Sequence, residues 1–154
     1  MIREIRRKDR IMEEEKMIKV LKDQAYGVLS TADAGGQPYG VPLSYVYTKG
    51  AIYFHCATEG HKLENLRENP RVSFCVVGQT CVLPDKFTTN YESVVAFGEA
   101  LETDGEEKEE ILMEILLKYS PEFLEKGRLY IQNAADKTKV YKIKIDHMTG
   151  KARA

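Results

Sequence analysis

The most reactive side chains of this sequence gather in one short stretch, YFHCATEGHKLENL, residues 53–66. His55 and His61, two of the three histidines, lie within seven residues of each other, beside Cys56 and Lys62. Three chemistries use such residues. The first is metal binding. Adjacent residues on a strand point to opposite faces, so His55 and Cys56 do not easily share one ion. No second C-x-x-C or H-x-x-x-H cluster supplies the remaining ligands of a tetrahedral zinc, and His147 is distant in sequence. No metal is expected. The second is a Cys–His nucleophile. Cys56 alternates with Ile52 and Phe54, the pattern of a core residue rather than an exposed thiolate, and no Asp or Asn stands at an obvious orienting position.

The third chemistry is anion binding. A strand over residues 51–57 ends in Thr58-Glu59-Gly60, and a short helix starts near His61-Lys62. A helix N-terminus offers unpaired N–H groups and the positive end of the helix dipole. Gly60 lets the backbone approach a ligand, Thr58 offers a hydroxyl, Lys62 a charge and His61 a further hydrogen bond. The same residues also read as a solvated loop capped by threonine, and spacing alone does not choose between the two.

The flanking pattern predicts what positions this stretch. Met17, Ile18, Val20 and Leu21 recur at helical spacing within residues 12–24. Residues 26–31 read as a strand, followed by a turn at Gly35-Gly36, and residues 38–48 as a second strand. Pro42 inside it, lacking an N–H, predicts an edge, a bulge or a break in pairing. Lys49-Gly50 marks a tight hairpin turn into the strand of His55. Asn69-Pro70 stops the short helix. Residues 71–83 form a long strand with Gly78 as a bulge, 84–90 a polar loop, and 92–102 a strand. Asp104 with Glu107 has the form of a capping box opening a helix with Ile111, Leu112, Ile115, Leu116 and Tyr119 on one face. Ser120-Pro121 predicts the start of another helix. Tyr141, Ile143 and Ile145 alternate with lysines in a last strand. About six hairpin-linked strands with flanking helices predict one α+β domain over residues 1–154, built around an antiparallel split β-barrel.

Composition narrows the classes. A chain of 154 residues with 43% apolar and 31% charged side chains is an ordinary globular domain. No run approaches the ~18 apolar residues of a membrane span. The basic start (Arg6, Arg7, Lys8, Arg10) leads into Glu13-Glu14-Glu15-Lys16 rather than the apolar core of a signal peptide. Cys56, Cys75 and Cys81 are odd in number, lie in strand-like stretches and predict buried thiols in a reducing compartment. A net charge of −1 provides no pull toward nucleic acid or an anionic membrane. A cytoplasmic protein without nucleic-acid or membrane partners is expected.

The blocks YGVLST, PYGVPLSYVY, FHCATEGHKL and NPRVSF, followed by FTTNYESVVAFGEA and TGKAR, resemble in order and spacing the FMN-binding split-barrel proteins, the pyridoxamine 5'-phosphate oxidase-like superfamily. Within it they are most similar to the Nim-type flavoproteins associated with nitroimidazole resistance. The resemblance runs from Arg6 to Arg153. It implies FMN as cofactor, with Val41, Pro42, Leu43 and Ser44 along the flavin ring, and His55 and Cys56 at the next strand's end against it. Gly60, His61 and Lys62 match the phosphate turn. It also implies a homodimer with FMN at the interface, where Tyr91-Glu92-Ser93 or C-terminal residues of the partner complete each site. In pyridoxamine-phosphate oxidase itself that turn reads Ser-Arg-Lys. This chain also has no tryptophan and lacks that enzyme's Arg-x-His element, so vitamin B6 oxidation is not expected. The implied function is a reductase passing electrons from reduced flavin to a small, nitroaromatic-type acceptor. A flavin- or haem-binding module without turnover is the alternative. His55 is the candidate catalytic residue, hydrogen-bonding flavin or substrate or donating a proton. A structural histidine facing Tyr53 is the competing reading.

Overall fold

A computed structural model describes residues 2–154. The chain runs α1 (Glu14–Asp23), β1 (Gly27–Ala32), β2 (Pro38–Leu43), β3 (Val46–Thr48), β4 (Ala51–Cys56), α2 (His61–Glu68), β5 (Arg71–Leu83), β6 (Thr88–Glu102), α3 (Gly105–Tyr119), α4 (Leu124–Ala134) and β7 (Lys139–Arg153). All seven strands form one antiparallel sheet in the order β2-β1-β5-β6-β7-β4-β3. The outermost strands, β2 and β3, are joined only by Ser44 and Tyr45. Three Cα–Cα steps cover at most about 11 Å, so the two edges of the sheet must come close together. The sheet is therefore rolled, and no ladder closes the roll between β2 and β3 among the described residues.

Seven strands replace the expected six because residues 38–48 break at Ser44-Tyr45. Tyr45 spends its backbone groups on α3 instead of the sheet. Its N–H donates to the Tyr119 hydroxyl at 3.0 Å, and its carbonyl accepts from Lys118 Nζ at 2.9 Å. Its own hydroxyl donates to the Leu21 carbonyl at 2.5 Å, satisfying an acceptor in the last turn of α1. The Tyr119 hydroxyl points its proton toward the carbonyls of Ala25, at 2.6 Å, and Tyr45, at 3.0 Å. Two tyrosines thus bind α1 and α3 to the crossover.

Strand alternation sorts the apolar residues onto two faces. On one, Leu29, Ile52, Phe54, Phe74, Val76, Val94 and Ile143 pack with Val20 and Leu21 of α1 and Leu63 and Leu66 of α2. On the other, Val46, Ala51, Tyr53 and Val140 pack with Ile111 and Leu112 of α3. Pro42 lies on an edge strand, paired with Val28 of β1 alone, the position in a sheet where proline is tolerated. Lys49 and Gly50 both have positive φ, 52° and 73°, as the tight hairpin requires. Gly78 falls within the register shift between Val77 and Thr80.

Other expectations are corrected. Asp104 precedes α3, but its side chain makes no capping bond. Ser120 ends α3, its N–H bonded to the Leu116 carbonyl, and α4 begins only at Leu124. The polar loop at residues 84–90 shrinks to a turn over Pro84–Lys86, so β6 starts at Thr88. The last strand is far longer than residues 141–145 because β7 pairs with β4 on one side and β6 on the other. Of the cysteines only Cys56 is buried, while Cys75 is half-buried and Cys81 exposed.

Candidate functional site

The corner between β4 and α2 carries the glycine, histidine and lysine singled out from the sequence. Gly60 precedes α2 with φ 144° and ψ 170°, a conformation essentially restricted to glycine. Nothing lies within 4 Å of where a Cβ would stand, so the backbone there is open to approach. Among the described residues no side chain caps the helix, neither Thr58 nor any other. The N–H groups of Leu63 and Glu64 turn back onto the Gly60 carbonyl at 3.1 Å each, leaving those of His61 and Lys62 without a partner among the described residues. Lys62 joins none of the ion pairs among those residues. Two free amide donors, a free ammonium and the positive helix end suit a phosphate.

Three contacts seat this corner against the β1–β2 hairpin. The Tyr39 ring stacks on His61 with centroids 4.0 Å apart. Asn65, almost fully buried in α2, donates through Nδ2 to Thr31 Oγ1 at 2.9 Å, and that hydroxyl donates on to the Tyr39 carbonyl at 3.4 Å. Glu68 accepts the Ala34 N–H at 2.8 Å. Tyr39, Val41 and Leu43 alternate along β2 on its half-buried side, and Val41 and Leu43 pack against the main core. Pro42 and Ser44 are exposed on the other side. The exposed side of β2, with Pro42 and Ser44, therefore lies on the same hairpin that seats a phosphate-type corner, and a flat ring system carrying a phosphate suits the two together. Asn65 and Tyr39 escaped sequence reasoning, although a lone Asn between Leu63 and Leu66 and a tyrosine in phase with Val41 were signals for them.

His55 and Cys56 part company. Cys56 belongs to the main core, and burial pushes its thiol pKa up, with Lys62 and Lys139 only partly opposing this. It is a protonated packing residue rather than a nucleophile. His55 emerges on the opposite face, in a cleft of about 490 Å³ between β4 and helices α3 and α4. The surrounding apolar walls, followed by the charge of Lys62, lower its pKa below the ordinary 6.5. Its imidazole is therefore neutral at pH 7, with one donor and one acceptor nitrogen. Among the described residues, no three His, Cys, Asp or Glu side chains are grouped to hold a metal.

This architecture recurs in known proteins. The chain is 31% identical over 113 residues to the 5a,11a-dehydrotetracycline/5a,11a-dehydrooxytetracycline reductase of Streptomyces rimosus, covering 70% of this chain and 77% of that one. The fold matches a candidate 5-nitroimidazole antibiotic resistance protein from Bacteroides thetaiotaomicron with a TM-score of 0.79. That match has 24% identity over 92% of this chain and 85% of the other. An FAD-binding protein from Mesorhizobium loti matches with a TM-score of 0.68 and 26% identity, over 94% of this chain and 98% of that one. A family model described as pyridoxamine 5'-phosphate oxidase spans residues 13–152, nearly every element that builds the rolled sheet and its β4–α2 corner. The chain belongs to the pyridoxamine 5'-phosphate oxidase-like family.

Proposed function

We propose that this protein is an FMN-dependent oxidoreductase that reduces a small acceptor, nitroaromatic compounds among the candidates. The observation that carries the reading is the β4–α2 corner, where unpaired amides and the free Lys62 ammonium sit against the β1–β2 hairpin. The reductase activity named for the Streptomyces relative and the FAD binding named for the Mesorhizobium neighbour support flavin chemistry. The terminal phosphate of FMN matches the donor set of one corner, which favours FMN over the longer dinucleotide.

When bound, the flavin supplies hydride or single-electron transfer from a reduced nicotinamide to the acceptor. The chain supplies the rest. Lys62 and the His61 and Lys62 amides hold the phosphate. Val41 and Leu43 fix β2 against the core, and Pro42 and Ser44 on its exposed side would face the ring. His55, neutral at working pH, suits hydrogen bonding or proton acceptance better than proton donation. A second copy of the chain completing the site is part of this reading.

The purified protein should be yellow, or bind FMN with quenching of flavin fluorescence. Lys62→Ala should weaken that binding by roughly 1.5–3 kcal/mol, the range for a hydrogen bond to a charged group. Unchanged affinity would move the phosphate elsewhere. Anaerobic reduction by NADH or NADPH, followed by reoxidation with a nitroaromatic, tests turnover. Binding without reoxidation would leave a cofactor-holding module. Light scattering with and without FMN tests the dimer.

A further inference from the structure

Helix α2 is only eight residues long, and its apolar contacts do not by themselves fix its rotation about its own axis. Leu63 and Leu66 anchor it in the main core, but apolar packing has no direction. His61 and Asn65 stand one helical turn apart, so both lie on one face of the helix. The hairpin offers a matching pair. Thr31 of β1 stands directly opposite Tyr39 of β2 in the antiparallel register, so their side chains share a face at short range. His61 stacks on the Tyr39 ring, and Asn65 donates to the Thr31 hydroxyl, which donates on to the Tyr39 carbonyl. Two points on the helix meet two points on the hairpin, and two points fix a rotation.

The free donors of the corner ride on that rotation. The amides of His61 and Lys62 and the Lys62 ammonium all belong to the first turn of α2. A rotation of about 30° carries atoms at the Cα radius of a helix by about 1 Å. That is enough to misalign N–H groups aimed at a fixed phosphate. Asn65 and Thr31 are only 3% and 4% exposed. Both gave up water to pair, so the bond adds little net stability over an apolar pair of the same shape. What it adds is direction, since it forms in one orientation of the helix only. Glu68 also ties α2 to the hairpin through the Ala34 N–H, but from an exposed position in the last turn, far from the donors.

We propose that Asn65, Thr31 and Tyr39 are positioning residues that set the rotation of α2, and with it the strength of the hold that its N-terminus exerts on a ligand's phosphate. They act through His61 and Lys62. The proposal rests on the cofactor reading above and sharpens it: the relay governs the phosphate's share of the binding, and the ring's share is independent of it.

Riboflavin, which has the ring of FMN without its phosphate, separates the two shares. Asn65→Leu combined with Thr31→Val removes both polar side chains together, so neither is left buried without a partner and the urea midpoint should stay close to that of wild type. In fluorescence-quenching titrations of the full-length protein, the double variant should lose about tenfold or more in FMN affinity and less than about twofold in riboflavin affinity. Thr31→Ser, which keeps the hydroxyl, should bind FMN within about twofold of wild type. Equal losses for the two flavins, no loss at all, or a Thr31→Ser variant as weak as the double variant would overturn the proposal. Should the double variant fail to fold, Tyr39→Leu at its half-buried position gives the same reading. Its ratio of FMN to riboflavin affinity should fall at least about threefold, and an unchanged ratio would overturn the proposal. The His61 and Lys62 amide resonances, titrated with inorganic phosphate, need no flavin. If wild type bound no flavin, shifts present in wild type and lost in the variant would remove the cofactor reading and leave the relay standing. Wild-type amides indifferent to phosphate would overturn both.

Discussion

Tyr119→Phe removes a single oxygen, and the structure sets its cost. That hydroxyl accepts the Tyr45 N–H at 3.0 Å and directs its own proton toward the Ala25 and Tyr45 carbonyls. The Ala25 carbonyl belongs to an exposed residue and can turn to water, and the Tyr45 carbonyl keeps Lys118 at 2.9 Å. The Tyr45 N–H has no such refuge, because the residue is 0% exposed and lies outside any strand ladder. A buried donor left unpaired costs about 1–3 kcal/mol, so a loss near 2 kcal/mol is expected. At roughly 2–4 °C per kcal/mol for a chain of this size, Tm should fall by about 4–8 °C. Urea unfolding is the better assay, since a lower midpoint with an unchanged slope isolates stability from a change in compactness. A loss below about 0.5 kcal/mol would refute the claim that Tyr119 holds the crossover between the sheet edges.

Three further outcomes follow from the same contacts. Gly98→Ala places a Cβ 1.9 Å from the Lys144 carbonyl oxygen, at the bulge where Phe97 pairs with His147 and Gly98 with Ile145. The clash is with backbone, so a loss on the order of 3 kcal/mol or more, or failure to fold, should appear in thermal melts. Gly60→Ala meets no steric obstacle but must hold φ near 144°, so it should cost roughly 1–3 kcal/mol of local strain and weaken FMN binding in fluorescence titration. Burial lowers the Lys118 pKa from 10.5 to about 8. Between those values the unfolded chain holds the proton that the native state has released, so this lysine makes the unfolding free energy rise with pH. Compared at pH 8 and 10, wild type should gain stability relative to Lys118→Met, and a constant difference would contradict the burial.

What the sequence disclosed and what it concealed divide along physical lines. The β4–α2 corner was legible because its cues are local: a strand alternation ending at Cys56, a glycine before a short helix, and a proline after it. The hairpin at Lys49-Gly50 was legible for the same reason. The break at Ser44-Tyr45 was not, because residues 38–48 have uninterrupted strand propensity. The partners that end the strand, Lys118 and Tyr119, lie more than 70 residues away in sequence. Ser120-Pro121 misled in the opposite way. The pair has the local form of a helix start, yet Ser120 closes α3, and the chain needs three more residues before α4 can lie against it. Alternation did separate His55 from Cys56, but what stands over each face depends on helices that arrive about 50 residues later.

That separation gives the two faces of β4 different work, and one side chain connects them. Tyr119 lines the His55 cleft with its ring while its hydroxyl holds Tyr45, two residues beyond Leu43 at the end of the proposed flavin strand. The crossover is too short to absorb movement elsewhere, since Ser44 and Tyr45 are all that join the two sheet edges. Loss of the hydroxyl frees the ring from the crossover but leaves it in the cleft. Tyr119→Phe should therefore weaken FMN binding as well as lower stability. If FMN affinity were unchanged despite the loss of stability, the faces would be energetically independent, and Tyr119 would serve the fold alone.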